Sequence, residues 1–588
     1  MNEDKMNKNS TWLTPQSLNL PQNGEITGSI AIIEMLLALG VKTVFGYPGG
    51  AIMPFYDALY DYKDKLRHIL VRHEQGAVHA AEGYSRATGE IGVCIATSGP
   101  GATNLVTGLA DAMLDSVPLI AITGNVSSSL LGTDAFQETD IVGVTIPITK
   151  WNHQITSAQE VPMIFAKAFN IAKAGRPGPV LIDITKDALL SKFDWSDIDF
   201  KIKNREKYVN HFSYKDIETA AELINSAQQP LLLVGHGVLI SKAKQELFTF
   251  ATKTQMPVAV TLLGMSAFDV EHPLYVGMLG MHGNYAPNIQ TNKADLIIAI
   301  GMRFDDRVTG MLQAYAKQAK IIHIDIDAVE IGKIVKPDVA LVGCAKEVLN
   351  ALMLKVNAAE HTEWLESFKS AADKEQQAVI SSAITVDSGP LKMSEVVALL
   401  SEMTKDSTIV VSDVGQQQMI TARYYKFKNS RNYIASGGLG TMGFGLPAGI
   451  GAKIAMPNQE VIVIAGDGGI QMTIQELGTI MQEDLDLKII ILNNSFLGMV
   501  RQWQELFFQK RYSFVHLVNP DFVKISEAYS IPALEVRERE QLKTAIQTML
   551  ETPGAFLLNV LVEKEQNVFP MLAVGSAVSD IKLKRDEF

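Results

Sequence analysis

The sequence predicts an α/β protein of three doubly wound parallel-sheet domains. Two observations lead there. Short runs rich in Val, Ile and Leu alternate with longer helical stretches along most of the 588 residues, as repeated βαβ units do. Several of these runs stop abruptly in glycine-rich segments, as buried strands feeding loops at a sheet edge would. The length suits about three to four domains.

Taken in order, residues 1–23 are polar and carry Glu3 and Asp4. They lack an apolar stretch or an Arg-rich amphipathic pattern, so a flexible tail is expected and not a targeting peptide. Residues 24–188 form the first domain, with strands expected at 43–45, 92–96, 119–123 and 180–184. The charged, aperiodic segment 189–216 reads as a linker. Residues 217–355 form the second domain, with strands at 231–234, 258–261, 296–300 and 321–324, and the polar segment 356–389 is helical or linking. Residues 390–563 form the third, with strands at 408–411, 461–465, 488–492 and 556–562; Thr473 is expected to cap a helical stretch reaching about Met481. Residues 564–588 make a tail that either folds over a site or stays mobile.

A hydrophobic content of 47% and an aromatic content of 7% are those of a soluble globular chain. The net charge of -12, without a run of Lys or Arg, argues against nucleic-acid binding. Only Cys94 and Cys344 occur, far apart, which supports neither a disulfide framework nor a zinc site and fits a reducing cytoplasm. No segment is long and apolar enough to span a membrane.

The most informative motif is Gly466-Asp467-Gly468, followed after one helix and one strand by Asn493-Asn494. In a right-handed βαβ unit the two strands run parallel, so Asp467 and Asn494 emerge at one edge from strands about 4.8 Å apart. A carboxylate, an amide oxygen and a main-chain carbonyl are hard ligands that suit magnesium and leave room for two phosphate oxygens and a water. Glycines let backbone approach phosphate closely. Each fragment alone reads as an ordinary turn or strand end, but their pairing across one βαβ unit favours the cage.

Other segments need weighing. Arg72-His73-Glu74 with His79 tempts a zinc-protease reading, but four residues separate Glu74 from His79 where that motif has two. Glu74 instead lies near two glycine-rich loops, 46–50 and 98–104, beside which a buried carboxylate can serve a heterocycle. The Gly438 to Gly443 segment spells GxGxxG, yet Val463 stands where a nicotinamide site needs an acid. Asp413-Val414-Gly415-Gln416-Gln417-Gln418 follows a strand and either offers amides to phosphate or is a polar turn.

Together these motifs resemble those of the thiamine-diphosphate-dependent enzymes over nearly the whole chain, and within them the acetohydroxyacid synthase (acetolactate synthase) catalytic subunits. The specific matches are Arg72 to Ala77, Thr97 to Asn104, Ala135 to Glu138, Arg176 to Val180, Gly280 to Gly283, Arg303 to Gly310 and Gly498 to Trp503. The resemblance implies a pyrimidine-binding first domain, a central FAD-binding Rossmann-like domain and a diphosphate-binding third domain. It also implies a homodimer or homotetramer with active sites between subunits, so that Glu74 of one faces Asp467 of another, and a possible small regulatory subunit.

For the site, the resemblance implies that Glu74 hydrogen-bonds the aminopyrimidine and that Met442 supports the bent cofactor. Asp467, Asn494 and the main-chain carbonyl of Phe496 hold Mg2+. Phe136 and Gln137 stand where aldehyde-releasing decarboxylases place histidines, which favours carboligation. Arg307 is implied to hold the acceptor's carboxylate and Trp503 to wall its side-chain pocket, favouring 2-oxobutyrate over pyruvate; ordinary core is the alternative for Trp503. Lys186 and Pro118 match the channel entrance, though a surface lysine and a strand-start proline need no function. The thiamine diphosphate contacts implied are Pro48, Gly50, Gly415, Gln416, Gln417, Gly440, Gly468, Gly469 and Met499. Those around FAD are Arg176, Gly235, Gly237, His282, Gly301, Arg303, Asp306, Val308, Asp325 and Ile326. The flavin is structural, since the net reaction transfers no electrons.

Two departures stand out: Gln417 where the family often has His, and Cys344 where an Asp is usual near the flavin. Either is expected to weaken cofactor affinity without changing the reaction. The rival readings are a catabolic acetolactate synthase or another thiamine-diphosphate decarboxylase or carboligase, glyoxylate carboligase being disfavoured because Glu74 is present, and a non-catalytic cofactor-binding subunit.

Overall fold

The structure is a computed structural model in which residues 12–203, 210–386 and 388–588 are described. The parts of the expected N-terminal tail and linkers at 1–11, 204–209 and 387 lie outside them. Three six-stranded, all-parallel sheets are present, each flanked by helices.

In the first sheet the strands lie in the order Arg67–Leu70, Thr43–Gly46, Gly92–Ala96, Leu119–Asn125, Pro179–Thr185, Trp151–Ile155. The chain reverses its winding between Thr43–Gly46 and Gly92–Ala96. In the second the order is Tyr275–Met278, Val258–Val260, Pro230–Val234, Leu296–Ile300, Lys320–Asp325, Val339–Val342, with reversal between Pro230–Val234 and Leu296–Ile300. In the third it is Tyr433–Ala435, Ile409–Ser412, Val461–Gly466, Lys488–Asn493, Phe556–Leu561, Ala533–Val536, with reversal between Ile409–Ser412 and Val461–Gly466. Open α/β sheets bind ligands in the crevice at the carboxyl ends of strands where winding reverses.

Packing groups the chain into two compact units. Among the described residues, one comprises those within 1–207, 438–458 and 473–485; the other comprises those within 208–437, 459–472 and 486–588. The second and third sheets thus share a unit, and one continuous apolar core runs from Leu232 and Ile298 to Val410, Ile464 and Leu558. Two stretches inside the expected third domain belong to the first unit, among them the helix Gly445–Ala455, packed on the helix Glu74–Thr88.

The N-terminal tail, the first linker and Thr473 differ from expectation, while 356–389 and 564–588 each take one of the two forms expected. Trp12–Leu13 pairs antiparallel with Ile202–Lys203, and Glu25–Thr27 with Lys192–Asp194. Leu18, Leu20, Phe193, Trp195 and Phe200 then join the first core, so the described parts of the tail and first linker are folded, not flexible. The 356–389 segment contains the helix Thr362–Glu375, which buries Trp364 and Phe368. Residues 564–588 pack in place through Val568, Leu572 and Val578. Thr473 makes no side-chain cap: its hydroxyl donates to the Gly443 carbonyl at 2.8 Å, the helix following the strand already begins at Asp467, and 474–476 is a 3-10 turn.

Candidate active site

In the second unit, Gly466 and Leu492 are register partners, so Asp467 and Asn493-Asn494 leave neighbouring strands side by side. Asp467 is 1% exposed and Asn494 3%. Asn519 donates to Asp467 Oδ2 at 2.6 Å and to Asn493 Oδ1 at 3.0 Å, and the Phe496 N–H donates to Asn494 Oδ1 at 3.1 Å. Burial pushes the Asp467 carboxyl above its ordinary range, and the groups favouring its charged form are neutral donors: Asn519 and backbone N–H groups of Asp467, Asn494 and Ser495. A buried carboxylate answered by neutral donors, next to an amide oxygen and a strand-end carbonyl, is a hard-oxygen set that fits a small divalent cation. The Phe496 ring packs edge-on against His516, with centroids 5.3 Å apart.

Across the winding reversal, Ile409–Ser412 ends in Asp413-Val414-Gly415, and Gln416 opens a helix running to Tyr424. Gly415 has φ +146°, a conformation that side chains rarely adopt, and a Cβ there would lie 2.6 Å from Gln417 Oε1. Gln417 braces this turn by donating to the Val414 carbonyl at 2.9 Å, so the departure from His leaves the loop supported. Gln416 is buried between Asn494 and Gln502. Gly468, Gly469 and Met499 lie on the short helix after the strand and on the helix Gly498–Phe507.

The central sheet's reversal places Gly235 and Gly301 on adjacent strand ends. The Gly237 N–H donates to the Gly301 carbonyl at 2.9 Å, and Gly301 has φ +57° with a Cβ position 2.6 Å from Gly237 Cα, so no larger residue fits. His282 is buried with Nδ1 unpartnered, and burial, with Arg423 and Arg307 nearby, lowers its pKa to about 3. A neutral imidazole with an orphaned buried nitrogen, set in the same sheet's strand-end loops, fits a polar ligand such as a flavin. Asp325 and Ile326 end the next strand, and Asp325 Oδ1 accepts from Asp327 N at 2.8 Å. Cys344 begins the helix Ala345–Met353 without a side-chain cap, which an Asp would supply.

Arg307 is anchored by backbone. Its carbonyl accepts from Met281 N at 2.8 Å, Nη1 lies 3.3 Å from Met281 Sδ, and the guanidinium is exposed beside Asp306. Val308 follows it and is buried, and Arg303, four residues earlier, is half-buried. Trp503 is half-buried on the core cluster containing Phe304 and Leu572, with Phe507 5.3 Å away between ring centroids.

In the first unit, His73 caps the helix Glu74–Thr88, placing Glu74 at its first position. Glu74 Oε2 accepts from Asn104 Nδ2 at 2.9 Å, joining the helix start to the end of the 98–104 loop. Phe136 is 87% exposed and Gln137 has φ +59°, an unfavourable conformation held where its backbone packs against Gly99. Pro48 and Gly50 are exposed on the loop after Thr43–Gly46, and Lys186 is exposed at the start of the helix Lys186–Leu190. Pro118 directly precedes the strand Leu119–Asn125. Met442 is half-buried beside Gly440, in a loop whose Gly438 N–H donates to Asp115 Oδ1 at 2.7 Å. Arg176 donates to Ser116 Oγ at 2.8 Å and lies in this unit, not with the other flavin candidates.

The structure adds one residue that no motif marked, Asn519 on Asp467, and gives partners to two that lay inside matched motifs without a stated role: Asn104 on Glu74, and Gln502 behind Gln416. Among the described residues, one His, Glu and Asp cluster has metal-like spacing: His79, Glu82 and Asp111. Arg86 fills it, donating to Glu82, Asp111 and Asp115.

Three family descriptions match the chain: "Thiamine pyrophosphate enzyme, N-terminal TPP binding domain" over residues 26–144, "central domain" over 217–352, and "C-terminal TPP binding domain" over 413–560. The acetolactate synthase isozyme 2 large subunit of Escherichia coli (strain K12) is 45% identical over 557 residues, covering 95% of this chain and 99% of the relative. The acetolactate synthase large subunit of Cyanidium caldarium is 44% identical over 581 residues, 96% and 98% of the two chains. That of Corynebacterium glutamicum is 45% identical over 572 residues, 95% and 90%.

Proposed function

Because the chain belongs to the thiamine pyrophosphate enzyme family, we propose that it is an acetolactate synthase catalytic subunit. It decarboxylates pyruvate and joins the two-carbon unit to a second pyruvate or to 2-oxobutyrate, the first common step of branched-chain amino acid biosynthesis. Its cofactors are thiamine diphosphate, Mg2+ and FAD. Thiamine diphosphate supplies the nucleophilic carbon and the electron sink for decarboxylation.

The chain's own residues do the rest. Asp467 and Asn494 offer oxygens to the cation, with Phe496 contributing its carbonyl; Gly415, Gln416 and Gln417 offer polar groups to the diphosphate. Glu74, oriented by Asn104, would hydrogen-bond the aminopyrimidine ring nitrogen, donating as the acid and taking the proton back as the carboxylate. Phe136 and Gln137 supply no acidic proton at the reacting carbon, so ligation outcompetes release of an aldehyde. Arg307 binds the acceptor carboxylate by a charge-assisted contact, and Trp503 packs on the acceptor's alkyl group. Active sites lie between copies of the chain in a homodimer or homotetramer, a small regulatory subunit is a further partner, and the buried thiols of Cys94 and Cys344, in no disulfide, suit the reducing cytoplasm. Among the described residues no helix is long and apolar enough to cross a membrane.

The observation carrying this reading is the pairing of a desolvated Asp467 with Asn494 at one strand edge in a chain that also presents Glu74 at a helix start. The test is product analysis with thiamine diphosphate, Mg2+, FAD and pyruvate. Acetolactate is expected, and Glu74→Gln should lower kcat/KM about 10²–10⁴-fold; acetaldehyde as the main product contradicts the proposal.

A further inference from the structure

Asn494 sits at one end of a chain of buried amides. Its Nδ2 donates to Gln416 Oε1 at 3.2 Å. Gln416 Nε2 in turn donates to Gln502 Oε1 at 3.1 Å and to the Gln566 carbonyl at 2.8 Å. Gln502 Oε1 also accepts from Val568 N at 2.8 Å, and its Nε2 donates to the Val568 carbonyl at 3.0 Å and toward Met571 Sδ at 3.2 Å. Gln502 is 0% exposed, Gln416 3%.

An amide side chain has an acceptor end and a donor end, and either end fits the same space. Backbone groups have no such freedom. The Val568 N–H only donates, so it selects the oxygen of Gln502, while the Val568 carbonyl selects its nitrogen. Gln502 Oε1 and the Gln566 carbonyl then select the nitrogen of Gln416, leaving Gln416 Oε1 toward Asn494. That oxygen takes the Asn494 nitrogen, so the Asn494 oxygen is the end left for a cation, where it also accepts from Phe496 N.

We infer that residues 566–568 of the C-terminal segment set, through Gln502 and Gln416, which end of the Asn494 amide faces the metal, and that Gln502 is a positioning residue for that ligand. The inference rests on Asn494 being a metal ligand. Reversing Asn494 would aim an N–H group at a divalent cation, and partners that orient ligands typically govern metal affinity about 10–100-fold.

The test is Mn2+ binding followed by electron paramagnetic resonance, on the full-length protein at saturating thiamine diphosphate. Gln502→Met keeps the length and removes the polarity; it should weaken Mn2+ about 10–100-fold, with kcat recovering at saturating metal. Gln502→Glu keeps an oxygen for Val568 N and Gln416 Nε2 and, as the neutral acid, a hydroxyl in place of Nε2 to donate to the Val568 carbonyl; it should bind Mn2+ within about threefold of wild type, a small fraction of that range. If Gln502→Met does not fold, Gln416→Met cuts the same chain one link nearer the metal and must show the loss. Wild-type affinity in a folded Met variant, or equal losses in Gln502→Met and Gln502→Glu, overturns the relay. Asn494→Ala separates the premises: if it leaves Mn2+ binding unchanged, the metal-site reading itself fails.

Discussion

At the residue scale, the candidate site is a set of short polar links to backbone that orient groups before any ligand arrives. Asp467 and Asn494 were legible in the sequence because their chemistry and spacing across one βαβ unit are local facts. Asn519, and the roles of Asn104 and Gln502 inside their motifs, were not, because an amide is informative only through a partner, and those partners lie 52, 30 and 86 residues away. Trp503 carries the sharpest residue-level prediction. If it walls the acceptor pocket, Trp503→Leu should reduce the preference for 2-oxobutyrate over pyruvate roughly 10–100-fold in direct competition, the order of magnitude of one methylene's apolar contact. The ratio of 2-aceto-2-hydroxybutyrate to acetolactate reads it, and an unchanged ratio assigns Trp503 to the core.

At the element scale, two buried ionic clusters hold helices in place. Glu375 and Arg423 are 2% and 1% exposed at their side chains, and Arg423 donates to the carbonyls of His282 and Gly283 at 2.7 and 2.9 Å. Glu375 also accepts from Asn284 and from Tyr285 N. The pair therefore ties the helix Gln416–Tyr424 to the 280–285 loop. Arg423→Met leaves Glu375 buried without its cation and should destabilise the protein by about 3–5 kcal/mol, seen as a lower urea midpoint.

The second cluster sets a pH dependence. Burial, and then Asp111, raise the pKa of Glu82 from 4.5 to about 7 against the opposing pull of His79 and Arg86; Asp115 and Cys94 complete its surroundings. With the folded value above the unfolded one, the native state holds this proton more tightly. The stability from Glu82 is therefore fully present below about pH 4.5 and is lost as pH rises from there through about 7, a difference of about 3 kcal/mol. Glu82→Gln should flatten that part of the stability curve measured by urea unfolding.

The elements themselves show what a sequence reveals. The inner strands were readable because both faces are buried and each carries a run of mostly apolar residues. Six strands of the three large sheets were given no bounds, Arg67–Leu70, Trp151–Ile155, Tyr275–Met278, Val339–Val342, Tyr433–Ala435 and Ala533–Val536, and all lie at sheet edges. All but Tyr433–Ala435 are only partly buried, so their composition resembles loops; that one has just three residues. Strands of two or three residues such as Lys192–Asp194 have no period to detect, since their partner lies over 160 residues upstream.

At the scale of the whole molecule, no local signal says which core a helix joins. The stretches 438–458 and 473–485 belong to the first unit although their sequence lies among third-sheet strands. The proposed site is likewise beyond any single chain segment: one thiamine diphosphate would be served by Glu74 from one copy and by Asp467 from another. Glu74→Gln and Asp467→Asn proteins, each inactive, separate the possibilities when unfolded together, mixed equally and reassembled. With shared sites, one of the two sites in each mixed dimer is intact, and acetolactate synthesis should return to about a quarter of wild type. If the mixture stays as inactive as its components, each site is built from one copy and the shared site is contradicted.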